Sequence, residues 1–343
     1  MGLEISDNIS LADLCTMRLG GLARYLTTIH SKSELKEAVK WARSRGLKVL
    51  VIGSGSNLVF GESGFDGLVC LNRISGTEKV RESSKSVILK VGAGEAWDNF
   101  VKYTVDNELS GIEALSLIPG TVGAAPVQNI GAYGQDVSRT ILEVEAYDAN
   151  EDKFVILKNK DLGFSYRTSK LKIPIENRYL YICSVTFKLS KEQTLVRPLY
   201  ESLEKFCVEN HVSELSPGNI RNAVTEIRSA KLPDPKYIAN SGSFFTNPAI
   251  SKHQFLKLKS KYPDIKAWAL ADDRYKISAA WLIDSSGMGD FSLDGISFFR
   301  NQHLVVVNRS AKETNSLVRF RDKVVGEVNK QFGITLEQEP ELI

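Results

Sequence analysis

The sequence predicts an α+β first half followed by a separate α/β second half, with the change near 190–220. Three observations lead there. A strand–helix–strand unit opens the chain, strand-like runs return at 141–148 and 179–188, and from about 216 the texture turns helical. With 343 residues the chain has the length for two or three domains and a large buried core.

The first unit pairs the strand-like RYLTTIH (24–30) with the helix-like SKSELKEAVKWARSRG (31–46). Ser31 and Glu34 have capping-box spacing, Leu35, Ala38, Val39 and Ala42 share one helical face, and Gly46 stands where a helix stops. The apolar run Val49–Ile52 reads as a buried strand and ends in GSGSN (53–57). Ser86–Val91 reads as the next strand. Trp97–Asn107 follows as a helix whose apolar face is Trp97, Phe100, Val101 and Val105. Later helices are expected at 217–231, 277–287 and 311–333, the last with Leu317, Phe320, Val324 and Val328 recurring every three or four residues. There is no internal repeat and no low-complexity tract.

Composition narrows the function. Hydrophobic residues at 43% and charged residues at 25% describe a soluble globular protein, not a disordered one. A net charge of +3 with both signs interspersed excludes nucleic acid as the main partner, though it leaves room for a local basic pocket. No apolar run reaches the roughly 18–20 residues that span a bilayer. The start, MGLEISDNISLADL, lacks a basic stretch followed by an apolar one, so it is not read as a signal peptide. Cys15, Cys70, Cys183 and Cys207 are scattered, with no CxxC pair, which fits a reducing cytoplasm. No His, Cys and acidic cluster has metal-ligand spacing, so no metal is expected.

Two glycine-rich segments carry the chemistry. GSGSN follows a strand, but a dinucleotide fingerprint needs a third glycine and a following helix, and LVF (58–60) follows instead. What remains is a turn whose backbone N–H groups can approach an anion closely. IPGTVGAAPVQNIGAYG (118–134) concentrates glycine, proline and alanine, which lets a bulky ligand lie against the backbone. Together the two segments suggest an extended, pyrophosphate-containing ligand such as FAD.

With these loops on the page, a longer series becomes visible. VIGSGSNLVF (51–60), VGAGEAW (91–97), LIPGTVGAAPVQNIGAYGQ (117–135), FSYRTSKLK (164–172), KLPDPK (231–236), NSGSFFTNP (240–248), AAWLID (279–284) and LEQE (336–339) occur in this order. The series resembles that of the UDP-N-acetylenolpyruvoylglucosamine reductase family, within the vanillyl-alcohol-oxidase-type FAD superfamily. It runs from about Thr16, in TMRLGG (16–21), to Glu339. The resemblance implies a two-lobed FAD-binding domain, with lobes 1–67 and 68–215, and a smaller α/β substrate-binding domain at 216–343. It also implies NADPH as hydride donor, UDP-N-acetylglucosamine enolpyruvate as substrate, and a monomer.

By the same resemblance, the FAD contacts would be Gly53, Ser54, Gly55, Ser56, Asn57, Pro119, Gly120, Thr121, Gly123, Ala124, Gln128, Asn129, Gly131, Ala132 and Tyr133. Arg167 would fork onto the substrate carboxylate, Ser243 would give a proton to the α-carbon, and Glu339 would help stabilise the intermediate. Glu337 and Glu341 compete with Glu339, because proline follows the second glutamate of LEQE where the family usually has it between the two. Tyr166, Lys231, Lys236, Asn247 and Gln302 are expected to contact substrate. Tyr200 resembles the tyrosine of a closing loop in one subtype. Phe244 and Phe245 read most simply as core. The histidines, His30, His211, His253 and His303, all lie outside the glycine loops, so the expected FAD is dissociable. Two rival readings are an oxidase or dehydrogenase of the same superfamily and a non-catalytic nucleotide-sugar or flavin-binding module.

Overall fold

The computed structural model describes residues 3–270 and 272–343, with the Glu176 side chain outside the description. The chain divides into two compact units. The first is Met1–Ile9, Ala23–Gly55 and Phe65–Ala230; the second is Ser10–Leu22, Ser56–Gly64 and Lys231–Ile343.

Two large sheets and a two-stranded one, Gly131–Ala132 with Gln135–Asp136, lie in the first unit. In the four-stranded sheet the order is Ser6–Ser10, Leu22–Ile29, Phe65–Asn72, Lys48–Ile52. The strand-like runs at 24–30 and 49–52 are both parallel to Phe65–Asn72, which lies between them. Helix α1, Lys32–Arg43, starts where expected: the Ser31 hydroxyl accepts the Glu34 N–H, and Leu35, Ala38, Val39 and Ala42 are buried. They pack with Val49, Leu68, Cys70, Tyr147 and Cys183.

The second sheet is five-stranded and antiparallel, ordered Lys153–Lys158, Ile141–Asp148, Leu180–Ser190, Ser86–Gly92, Thr77–Glu82. Val144 pairs with Val185 and Val185 with Val91, so one face is continuously branched and apolar. Helix α2, Trp97–Asp106, covers that face with Trp97, Phe100 and Val101. Phe100 and Phe187 pack at 4.9 Å between ring centroids, and the Trp97 indole N–H donates to the Leu115 carbonyl at 2.9 Å. Helices α3, Glu201–Glu209, and α4, Pro217–Lys231, complete the unit through Leu203, Cys207, Ile220, Ala223, Val224 and Ile227.

The second unit centres on a four-stranded sheet, ordered Ala239–Ser243, Gln302–Asn308, Ile296–Phe299, Ser292–Leu293. Helix α5, Lys252–Lys261, accompanies a three-stranded sheet. Helix α6, Ala279–Ser285, is capped by the Ser278 hydroxyl, and α7, Thr314–Phe332, ends at Gly333. Early segments are stitched into this unit. Asn240 N–H donates to the Thr16 carbonyl at 3.1 Å, the Thr314 hydroxyl to the Phe60 carbonyl at 2.6 Å, and Leu58–Val59 pairs in parallel with Glu341–Leu342.

No helix among the described residues is long and apolar enough to cross a membrane. No metal-holding group of His, Cys, Asp and Glu occurs among them.

Candidate active site

Within the first unit the two glycine loops meet. A Cβ on Gly53 would lie 2.3 Å from the Thr121 hydroxyl oxygen, so only glycine lets the end of the first loop rest on the second. Arg73, which sequence reading passed over, donates to the Gly53 carbonyl at 3.0 Å. Among the described residues the Ser54 and Gly55 N–H groups have no protein acceptor. Two such donors, in a loop backed by a guanidinium, fit the pyrophosphate of FAD.

The second loop is fastened by VGAGEAW. The Val122 N–H donates to the Glu95 carbonyl and the Gly123 N–H to the Ala93 carbonyl, both at 2.9 Å. Thr121 is buried, Ala124 is exposed, and Gly120, Gly131 and Ala132 are half-exposed, so small side chains line the loop's open side. Pro119 is exposed and Gln128 half-buried. Leu117, Asn129 and Tyr133 all adopt left-handed backbones, an unusual density of strain for residues with a Cβ.

Arg167 is held on this loop. It occupies a tight turn closed by Ser165 and Thr168, again with a left-handed backbone, φ 56°. Its terminal nitrogen donates to the Gly131 carbonyl at 2.7 Å, and its guanidinium stands 5.3 Å from the ring of half-exposed Tyr166. Asn129, buried, ties the same turn to the loop by donating to the Ser165 carbonyl at 3.1 Å. Tyr200 precedes α3 and meets Tyr133 edge-on at 5.9 Å. Burial pushes both phenols up from their ordinary range.

Within the second unit, Ser243 and Glu339 come together. Ser243 ends its strand exposed, just after a bulge in which Gly242 takes φ 70° and its N–H donates to the Asn240 side-chain oxygen. Phe244 and Phe245 are fully buried and stack edge-on at 5.1 Å, which makes them the anchor of that serine. The C-terminal tail pairs with this stretch: Glu339 N–H donates to the Phe244 carbonyl and Thr246 N–H to the Glu337 carbonyl, both at 2.9 Å. Glu337 is exposed, whereas Glu339 and Glu341 are half-buried. Asn57 joins them, its side chain donating to the Glu339 carbonyl at 3.4 Å and its carbonyl accepting the Glu341 N–H at 3.0 Å.

The expected substrate contacts of this unit are more dispersed. Lys231 and Lys236 are exposed at the two ends of the LPDP turn. Arg18 donates to the Pro235 and Lys236 carbonyls at 3.0 and 2.6 Å; it lay in the TMRLGG segment without an assigned task. The Asn247 side-chain oxygen accepts the Ala279 N–H at the start of α6, a structural use of that group. Gln302 opens the strand Gln302–Asn308. His303 bonds to Asp284.

Comparison with known proteins agrees with this layout. A family model of an FAD binding domain matches residues 23–154, and the model of the UDP-N-acetylenolpyruvoylglucosamine reductase C-terminal domain matches 234–343. The chain is an FAD-dependent oxidoreductase that joins an FAD-binding domain to this C-terminal domain. A UDP-N-acetylenolpyruvoylglucosamine reductase of Amoebophilus asiaticus is 36% identical over 99% of this chain and 100% of its own length. One from Bdellovibrio bacteriovorus is 37% identical over 98% and 99%. The crystal structure of the UDP-N-acetylenolpyruvylglucosamine reductase from Thermus caldophilus shares the fold, with a TM-score of 0.67 at 23% identity over 99% of each chain. This chain belongs to the UDP-N-acetylenolpyruvoylglucosamine reductase family.

Proposed function

We propose that the chain reduces the enolpyruvyl ether of UDP-N-acetylglucosamine to UDP-N-acetylmuramate with NADPH and dissociable FAD, using Arg167, Ser243 and Glu339. The observation that carries the reading is the pairing of 337–339 with Phe244–Thr246, which sets a half-buried carboxylate residue beside an exposed serine. Two motifs nearly a hundred residues apart in the chain thereby form one local surface.

FAD, when bound, supplies a hydride to the β-carbon of the enolpyruvyl group. The chain supplies the rest. Arg167 forks onto the carboxylate, where charge-assisted hydrogen bonds favour the electron-rich intermediate over the ground state. Its terminal nitrogen on Gly131 and its strained turn fix the guanidinium before substrate arrives. Ser243 donates a proton to the α-carbon; serine is a weak acid, so the step relies on a strongly basic carbon held in place. Glu339 helps polarise the intermediate. Lys231, Lys236, Asn247, Gln302, Tyr166 and Tyr200 hold the nucleotide diphosphate sugar, and the FAD contacts are the two glycine loops with Asn57.

Four free, buried cysteines support assignment to the cytoplasm, and the enzyme is read as a monomer. The test is NADPH consumption by the FAD-loaded protein with and without the enolpyruvyl sugar nucleotide. Substrate-dependent consumption is expected. Its absence, with rapid oxidation of reduced flavin by oxygen, would favour an oxidase instead.

A further inference from the structure

Leu117 stands at the entry to the 118–134 loop with a left-handed backbone, φ 55°. Glycine takes this conformation without penalty; leucine must be held in it. Both of its backbone groups are gripped. The N–H donates to Asp98 Oδ1 at 2.6 Å, and the carbonyl accepts from Arg228 Nη2 at 3.2 Å.

The grip is itself braced. Arg221 forks onto Asp98 with contacts of 2.7 and 2.9 Å, and donates to the Ser116 hydroxyl at 2.9 Å. That hydroxyl donates in turn to the Glu113 carbonyl at 2.7 Å. Burial pushes the Asp98 carboxyl up, and the Arg221 fork and the Leu117 N–H more than reverse it. Arg221 and Arg228 are seven residues apart, two turns of α4, so one face of that helix grips residues 116–117. The adjoining apolar face of α4 carries the α3 cluster on which Tyr133 packs.

We propose that Asp98 and Arg221 are positioning residues: their ion pair locks the left-handed turn at Leu117 and so sets the entry of the flavin loop from α4. This rests on reading 118–134 as flavin-binding. It distinguishes a positioning role from general stabilisation, because the pair should matter only while residue 117 resists the left-handed backbone.

The test is titration of the apoprotein with FAD, followed by flavin fluorescence. Four proteins suffice: wild type, Asp98→Asn, Leu117→Gly, and the double variant. Asp98→Asn should raise the FAD dissociation constant about tenfold in the leucine background, the size expected for one charge-assisted hydrogen bond. In the glycine background the same change should raise it less than about threefold. If Asp98→Asn does not fold, Arg221→Lys carries the comparison, since it keeps the charge and loses the fork. Dissociation constants within about twofold of wild type, or an equal loss in both backgrounds, would overturn the proposal. A wild-type apoprotein that takes up no FAD would remove the flavin-loop reading, and this proposal with it.

Discussion

The Glu339 N–H donates to the Phe244 carbonyl at 2.9 Å, so the tail residue read as catalytic lies directly beside the neighbour of Ser243. Phe244 and Phe245 are buried and immobilise that contact from below. The order along the chain is thus exposed serine, buried anchor, buried anchor, and the tail pairs with the anchors.

Ser243→Ala should therefore leave the fold intact, because the hydroxyl is exposed and the register is set by its neighbours. The substrate-dependent half-reaction should slow by about 10²–10⁴-fold, the usual worth of a positioned proton donor. Reduction of the flavin by NADPH should change little. Stopped-flow absorbance separates the two half-reactions, and equal loss in both would contradict the proton-donor role.

The three tail glutamates are separable. Glu339→Gln is expected to lower the substrate half-reaction by at least about a hundredfold. Glu337→Gln should stay within about threefold of wild type, because Glu337 is exposed and contributes its backbone carbonyl to Thr246. Glu341 also holds its place through its backbone, to Asn57, and Glu341→Gln should behave like Glu337→Gln. Kinetics of the three single variants decide the assignment.

Arg18 holds two successive carbonyls of the turn between Lys231 and Lys236. Its guanidinium is exposed, so Arg18→Met should cost little stability, within about 1 kcal/mol. Losing the bracket frees the turn, and the substrate KM should rise about five- to tenfold with kcat within a factor of about two. A fall in kcat alone would place Arg18 elsewhere in the mechanism.

Glu145 predicts an acid dependence. Burial pushes its carboxyl up, but Lys32 at 2.7 Å, Lys90 at 2.8 Å and the Ser184 hydroxyl at 3.0 Å hold it down to about 2, against an ordinary 4.5. A carboxylate held below its unfolded value stabilises the fold fully above that value, and the contribution is lost as pH falls from 4.5 towards 2. Glu145→Gln should cost about 1–2 kcal/mol at pH 7, since both lysines are partly solvated. Urea unfolding at pH 7 and at pH 3 should show the gap to wild type narrowing on acidification.

The local elements were legible in the sequence because their causes are local. Ser31 caps α1 through Glu34, three residues away, and α4 occupies 217–231 as its periodicity indicates. The helix expected at 277–287 is helical only over Ala279–Ser285, because Ile277 is drawn into strand pairing with Ala267. The edge strands Thr77–Glu82 and Lys153–Lys158 escaped the sequence reading. TEKVRE is exposed throughout and shows no apolar face, whereas KFVILK carries the apolar run 154–157, with Leu157 against the core, and was passed over. Arg18, Arg73, Asp98 and Arg221 were invisible as site residues. Most of their partners lie far along the chain, Asp98 and Arg221 being 123 residues apart, and no spacing rule reaches that far. The glycine loops were readable because close backbone approach leaves a compositional trace, as at Gly53.

The stitching of residues 10–22 and 56–64 into the second unit has a consequence for biosynthesis. The carbonyls of Thr16 and Phe60 accept from Asn240 and Thr314, and Gly61 N–H donates to the Ile343 carbonyl at 2.8 Å. These early residues leave the ribosome long before their partners exist. The second unit can close only once residues 231–343 have been made. A nascent chain stopped before residue 231 would hold these early segments without the partners they pair with.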